Sequence, residues 1–87
     1  MKPLARLFEL EIEFHRRLRD VPPTAGDVAA LHTSYALQSG YERLLRQLNR
    51  ITSEDVEQAA QHYLLNHDAR DVVAARDCVK TLLGLWQ

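Results

Sequence analysis

The sequence is poor in the residues that stabilise small secreted proteins or interrupt regular structure. It has one cysteine, three glycines and three prolines among 87 residues. A single cysteine cannot form an internal disulfide, on which small secreted domains usually depend. The few glycines and prolines interrupt a pattern that is otherwise helical, and no run alternates as a strand would. We therefore expect a helical protein in a reducing, cytoplasmic setting.

Net charge and long apolar runs are also scarce. The formal net charge is −1, whereas domains that bind nucleic acid by bulk electrostatics have a clear basic excess. Glu9, Glu11 and Glu13 lie where a signal peptide needs an uninterrupted apolar stretch. No run approaches the roughly 18 apolar residues of a membrane span. These features disfavour a nucleic-acid partner and predict no membrane partner.

The composition is that of an ordinary globular protein. Hydrophobic residues make up 46% of the chain and charged residues 26%, which distinguishes it from a disordered tail. The length predicts a single helical domain over residues 1–87, with a modest core. Abundant Leu, Ala and Arg with only two lysines is a composition typical of high-GC bacterial or phage sequences.

The first helix is predicted from about Pro3 to Asp20. Proline suits a first helical turn because its missing N–H costs nothing there, and Val21-Pro22-Pro23 ends the segment. Its apolar residues cover an arc of roughly 200°, about twice the width that one neighbouring helix can bury. They are Leu4, Leu7, Phe8, Leu10, Ile12, Phe14 and Leu18.

The second helical region runs from Thr24 to Arg50, and its apolar face changes direction on the way. We expect a kink or a break near Gly40, because the residues before and after Gln38-Ser39-Gly40 point roughly 100° apart. The first set is Val28, Leu31 and Tyr35, and the second is Leu37, Tyr41, Leu44, Leu45 and Leu48.

Two further helices have clear start signals. Thr52 and Asp55 have the spacing of a capping box, with Ile51 placed to pack on Val56, and Asp68 is a suitable cap for the last helix. The predicted buried faces are Val56, Ala59, Ala60 and Tyr63 on the third helix, and Val72, Ala75, Val79, Leu82, Leu83 and Trp86 on the fourth. The fold class is therefore all-α, a small bundle or orthogonal array of three to five helices.

Polar residues offer little chemistry by spacing alone. The four histidines form no ligand-spaced pair, so no metal site, cofactor or catalytic residue is predicted. Glu11 and His15 are one helical turn apart, which fits an acid–base pair or a polar lock at an interface. The simplest interpretation places this pair at the boundary of the apolar face, and that of Cys78 is a buried structural thiol.

The segment from Ile51-Thr52-Ser53-Glu54-Asp55-Val56 through Ala60 to Tyr63-Leu64 resembles a helical segment in domains of the insulinase-type zinc peptidases. The resemblance covers about 14 of the 87 residues. The family's inverted zinc motif, His-x-x-Glu-His, is absent from the sequence, so the resemblance implies no activity here.

Surplus apolar surface favours association as the mode of action. We expect a small helical protein–protein interaction module, such as an accessory subunit, binding inhibitor or chaperone-like adaptor, with a protein partner or a second copy in a homodimer. The anchors predicted for this interface are Leu7, Phe8, Phe14, Leu85 and Trp86.

The alternative hypothesis is a nucleic-acid-associated regulator that uses a basic stripe of Arg43, Arg46 and Arg50. Such binding would weaken steeply with salt, whereas docking of an apolar face would not. A third hypothesis, an enzyme using Glu11 and His15, needs a pocket that 87 residues can hardly enclose without a partner. We expect a protein that is not an enzyme.

Overall fold

The computed structural model describes residues 2–20 and 25–84, except for the side chains at positions 2, 25, 27, 28, 35, 38 and 39. Within these ranges the chain forms five helices and no strand, which confirms the all-α prediction. The helices are α1 (Lys2–Asp20), α2 (Ala25–Ser39), α3 (Tyr41–Gln47), α4 (Ser53–Leu64) and α5 (Ala69–Leu82).

The second helical region breaks at Gly40, as its pattern predicted. Gly40 has φ 62° and ψ 50°, a left-handed conformation that glycine adopts without steric cost. Its N–H donates to the carbonyl of Ala36, and its carbonyl accepts from Leu44, so one residue ends α2 and begins α3. The break changes the helical phase. Leu37 is 80% exposed, and its predicted place on the apolar face of Tyr41 and Leu44 was wrong.

The starts of α4 and α5 follow local signals in the sequence. Thr52 accepts a hydrogen bond from the Asp55 N–H, and Asp55 accepts one from the Thr52 N–H, which completes the predicted capping box. Asp68 accepts from the Arg70 N–H and caps α5, also as predicted. Each cap satisfies backbone donors that a helix start would otherwise leave unpaired.

Helix α1 lies among the other helices, and its principal partner is α5. The wide apolar arc of α1 is buried because α2, α3 and α4 also pack against it. Phe8 stacks on Tyr63 of α4 with ring centroids 5.6 Å apart, and the Tyr63 hydroxyl donates to the Ala5 carbonyl. The buried apolar core consists of Leu4, Leu7, Phe8, Leu10, Ile12, Phe14, Tyr41, Leu44, Leu48, Ile51, Val56, Ala60, Val72, Ala75 and Val79.

Charged contacts hold α5 near both of its ends. Arg19, in the last turn of α1, donates to Asp71 in the first turn of α5. Toward the other end, Lys80 donates to Glu57 of α4. Over residues 2–20 and 25–84, no helix has both the length and the apolar character required to cross a bilayer.

Candidate functional site

The three interface anchors predicted on α1 lie inside the protein. Leu7 and Phe8 are 0% exposed and Phe14 is 5% exposed. Their apolar faces are covered by the chain's own helices, so none of the three is available at the surface for a partner. The sequence indicated surplus apolar surface, and the physical reason for it is that α1 has four neighbours instead of one. Leu85 and Trp86, the other two predicted anchors, lie outside the described residues.

The predicted basic stripe is exposed but not continuous. Arg43 and Arg46 lie on α3, and Arg46 is 4.0 Å from the carboxylate of Glu42. Arg50 lies beyond the end of α3, in a turn with φ 73°. The helical spacing that placed the three arginines on one stripe therefore ends at Gln47, before Arg50 is reached.

A polar cluster is enclosed where α1 meets α5 and α2. Glu11 and His15 project from the same face of α1, because residues four apart are neighbours on a helix. Glu11 is 0% exposed, and its Oε2 lies 3.9 Å from the His15 Nε2. Cys78 of α5 completes the group, since the carboxylate oxygen, the imidazole nitrogen and the sulfur all lie within 4.8 Å of one another. The boundary position expected for this pair holds for His15, whose side chain is 24% exposed, but was wrong for Glu11, which is fully buried.

Aromatic rings and a second histidine surround this cluster. The Nε2 of His32, on α2, lies 3.9 Å from Oε1 of Glu11, the oxygen that does not face His15. The Phe14 ring lies 5.2 Å from the ring of His15 and 4.9 Å from that of His32, and the Tyr41 ring is 5.8 Å from His32. The carboxylate is thus placed between two imidazoles in largely apolar surroundings.

Several polar atoms of the cluster have no hydrogen-bond partner among the residues that the structure describes. They are both carboxylate oxygens of Glu11, the Nε2 of His15 and the hydroxyl of Tyr41. The Cys78 sulfur lies within 4.8 Å of the Glu11 carboxylate and partly opposes the rise that burial causes in the pKa of Glu11. A separation of 3.9 Å is too long for a hydrogen bond, so Glu11 and His15 are not hydrogen-bonded to each other in the structure.

Burial controls the ionisation of the cluster. It raises the pKa of Glu11, an effect that the Cys78 thiol and His32 partly oppose. It lowers the pKa of His15, against the nearby negative charge of Asp71. Burial, together with the Glu11 carboxylate, raises the pKa of the Cys78 thiol to about 12. Cys78 is therefore an inert thiol at neutral pH unless a cation stabilises the thiolate.

A different surface lies on the solvent side of α5, opposite Val72, Ala75 and Val79. We call it the α5 outer face. Val73 at its centre is 41% exposed. The five residues that line this shallow depression are Ala69, Arg70, Val73, Ala74 and Asp77. Two opposite charges therefore flank an apolar centre made of small side chains.

Neither the buried polar cluster nor the α5 outer face could be recognised from local sequence patterns. The cluster depends on how α5 is positioned over α1, which brings Cys78 against residues more than 60 positions earlier in the sequence. The only local signal was the spacing of Glu11 and His15. The apolar residues of the outer face, Ala69, Val73 and Ala74, are smaller than those of α1 and give a weaker sequence signal.

The protein is a small all-α helical domain with a buried polar cluster between α1 and α5. The chain matches no family model, no curated protein and no solved structure. Its function is therefore argued from the residues themselves.

Proposed function

We propose that this chain is a small helical protein–protein interaction module, of the accessory-subunit, binding-inhibitor or adaptor type, that acts by docking an apolar helix face. The observation that supports it is the α5 outer face, where Val73 is exposed between oppositely charged residues. An apolar centre with a polar rim is the arrangement found in protein–protein interfaces. The docking face proposed here is thus on α5, since the apolar arc of α1 is internal.

The partner that this surface fits best is a second copy of the chain. Arg70 and Asp77 are seven residues apart, so they lie two turns apart on the same side of α5. In an antiparallel pair of α5 helices related by a two-fold axis near Val73 and Ala74, Arg70 of each copy faces Asp77 of the other. The surface is therefore complementary to itself in charge.

The existing contacts of the two charged residues do not prevent this arrangement. Arg70 lies 3.3 Å from Asp68, and Asp77 lies 3.2 Å from Arg76. The Arg70 side chain is 76% exposed and that of Asp77 is 49% exposed. Exposed ion pairs of this kind contribute about 0–1 kcal/mol, so exchanging partners costs little. One helix pair makes an interface at the low end of the stable range, and we expect a concentration-dependent dimer.

Molar mass by light scattering over a dilution series tests this proposal. The wild-type chain should be dimeric at high concentration, and Val73→Glu should be monomeric because it buries an unpaired charge at the contact. Arg70→Asp should weaken the dimer by opposing like charges, and Arg70→Asp combined with Asp77→Arg should restore it. Leu37→Glu, at an exposed position on α2, is the matched control and should dimerise as wild type does.

Measurements at high salt distinguish self-association through α5 from binding of nucleic acid through the arginines. The dimer should persist at high salt, because its centre is apolar. A monomer at every concentration would contradict self-association. Salt-sensitive binding of a DNA duplex that Arg43→Glu abolishes would instead favour the regulator hypothesis.

A further inference from the structure

The buried carboxylate of Glu11 lacks, among the described residues, the hydrogen bonds that a buried acid normally accepts. It is 0% exposed, and neither oxygen accepts a hydrogen bond within the described part of the chain. An unsatisfied buried polar group costs about 1–3 kcal/mol, and more when it is charged. An apolar residue at position 11 would avoid that cost. Native proteins contain few such groups, and those that occur often mark an ion or a function.

We propose that Glu11, His15 and Cys78 form a binding site for a divalent transition metal of the zinc class between α1 and α5. These residues offer a carboxylate oxygen, an imidazole nitrogen and a thiolate sulfur, the three donor types that zinc binds in proteins. Glu11 and His15 lie one turn apart on α1, a spacing that presents both ligands to one ion. A bound cation would satisfy the Glu11 carboxylate and the buried Nε2 of His15 together.

The distances are close to those of a tetrahedral site. Zinc bonds of about 2.0–2.1 Å to oxygen and nitrogen separate the two ligand atoms by roughly 3.3 Å. In the protein the Oε2 of Glu11 and the Nε2 of His15 are 3.9 Å apart. The three donor atoms lie within 4.8 Å of one another, and binding of one ion would require them to move closer together.

His32 is a positioning residue in this proposal and not a ligand. Its Nε2 is 3.9 Å from Oε1 of Glu11, but it does not belong to the group of donor atoms that share one centre. A side chain that interacts with a metal ligand without binding the metal can fix the orientation of that ligand and tune its basicity. The imidazoles also provide a route to solvent, because the side chain of His15 is 24% exposed and that of His32 is 39% exposed.

Three protein ligands leave one coordination position for water, as in zinc sites that are not closed. Binding converts the Cys78 thiol to a thiolate and releases its proton to the solvent; a protonated Glu11 releases its proton too. The metal therefore replaces protons in the cluster, and no oxidant or reductant is needed. This proposal does not depend on self-association through the α5 outer face, since none of the three proposed ligands lines that surface.

Titration of the chelator-treated, full-length chain with zinc and cobalt ions tests the site. We expect one zinc ion per chain by calorimetry, and cobalt should give the near-ultraviolet charge-transfer band of a cobalt–thiolate bond. Zinc at a hundred-fold excess over its Kd should raise Tm by more than about 10 °C. Glu11→Gln should weaken zinc binding at least about 10-fold, and Cys78→Ser should remove the charge-transfer band.

Matched controls keep the result specific to the cluster. His62→Ala, which removes an exposed histidine of α4, should bind zinc as wild type does. The cobalt–thiolate band of the wild-type chain, whose one cysteine is Cys78, is a measurement that needs no variant to fold. Absence of zinc binding by the wild-type chain, or cobalt binding that survives unchanged in Cys78→Ser, would overturn the proposal.

Discussion

The guanidinium of Arg19 donates to the carboxylate of Asp71 at 2.8 Å and links the last turn of α1 to the first turn of α5. The two residues are 52 positions apart in the sequence. Asp71 is almost fully buried, with 5% of its side chain exposed, whereas 32% of the Arg19 side chain is exposed. The arginine thus neutralises a charge that the packing of α5 removes from water.

Loss of this contact should destabilise the fold. Arg19→Met keeps the apolar stem but leaves the buried Asp71 carboxylate without the guanidinium that donates to it. We expect the free energy of unfolding to fall by about 1–3 kcal/mol, measured by urea denaturation. Arg17→Met, which removes an exposed pair with Glu13, is the control and should change stability by less than about 1 kcal/mol. Equal effects of the two variants would contradict the importance of burial at Asp71.

Removing the Glu11 carboxylate should stabilise the metal-free protein. Glu11→Met replaces an unpartnered buried acid by an apolar side chain of similar size, and we expect the free energy of unfolding to rise by about 1–3 kcal/mol. Urea denaturation with a chelator present measures it. Glu13→Met removes a carboxylate that accepts from Arg16 and Arg17 and should not stabilise. A less stable Glu11→Met protein would mean that the carboxylate is satisfied in the fold.

Two glycines should respond to alanine in opposite directions. Gly40→Ala forces a residue with a side chain into φ +62°, and we expect a loss of about 1–2 kcal/mol from the left-handed backbone alone. Gly26 lies within α2, and a Cβ there meets nothing within 4 Å, so Gly26→Ala should add about 0.5–1 kcal/mol. Thermal unfolding compares the two. Stabilisation by Gly40→Ala would show that the break between α2 and α3 does not need glycine.

The ion pair of Glu57 with Lys80 should contribute to stability at neutral pH and be lost in acid. The Lys80 ammonium lowers the pKa of Glu57 below its usual value of 4.5. Stability from this pair is therefore fully present above pH 4.5 and disappears as pH falls through the lowered pKa. The stability difference between wild type and Glu57→Gln, followed by urea midpoints, should be largest near neutrality and vanish in acid.

Glu42→Gln is the control for this pH series. Its carboxylate is 91% exposed and lies 4.0 Å from Arg46, a distance at which an exposed pair adds little. We expect the control to follow wild type across the whole range. A Glu57→Gln deficit that stays constant in acid would show that the contact is one of packing and not of charge.

Local features of the fold were predictable from the sequence because their causes are local. The capping box of Thr52 and Asp55 needs only residues three positions apart, and the Asp68 cap is equally short in range. Gly40 was found as a break because the apolar pattern changed phase around it. In each case the determining contact lies within about one helical turn.

The surfaces were not predictable, because they depend on which helices meet. The sequence predicts the width of the apolar arc on α1. Periodicity cannot show whether Leu7 and Phe8 are covered by helices of the same chain or by another protein. The proximity of Cys78 to Glu11 depends on the register of α5 against α1. Leu37 was misplaced because a left-handed residue follows three positions later and the helical phase does not continue through it.

The pairing of α1 with α5 also constrains how the chain acquires its structure during synthesis. Helix α1 leaves the ribosome before its main partner α5, which is encoded about fifty codons downstream, as the 52-residue separation of Arg19 and Asp71 shows. Until α5 emerges, Leu7 and Phe8 have no complete cover. Contacts so distant in sequence make folding slow relative to local helix formation. The nascent chain therefore passes through an interval in which α1 is exposed to chaperones and to other unfinished copies of itself.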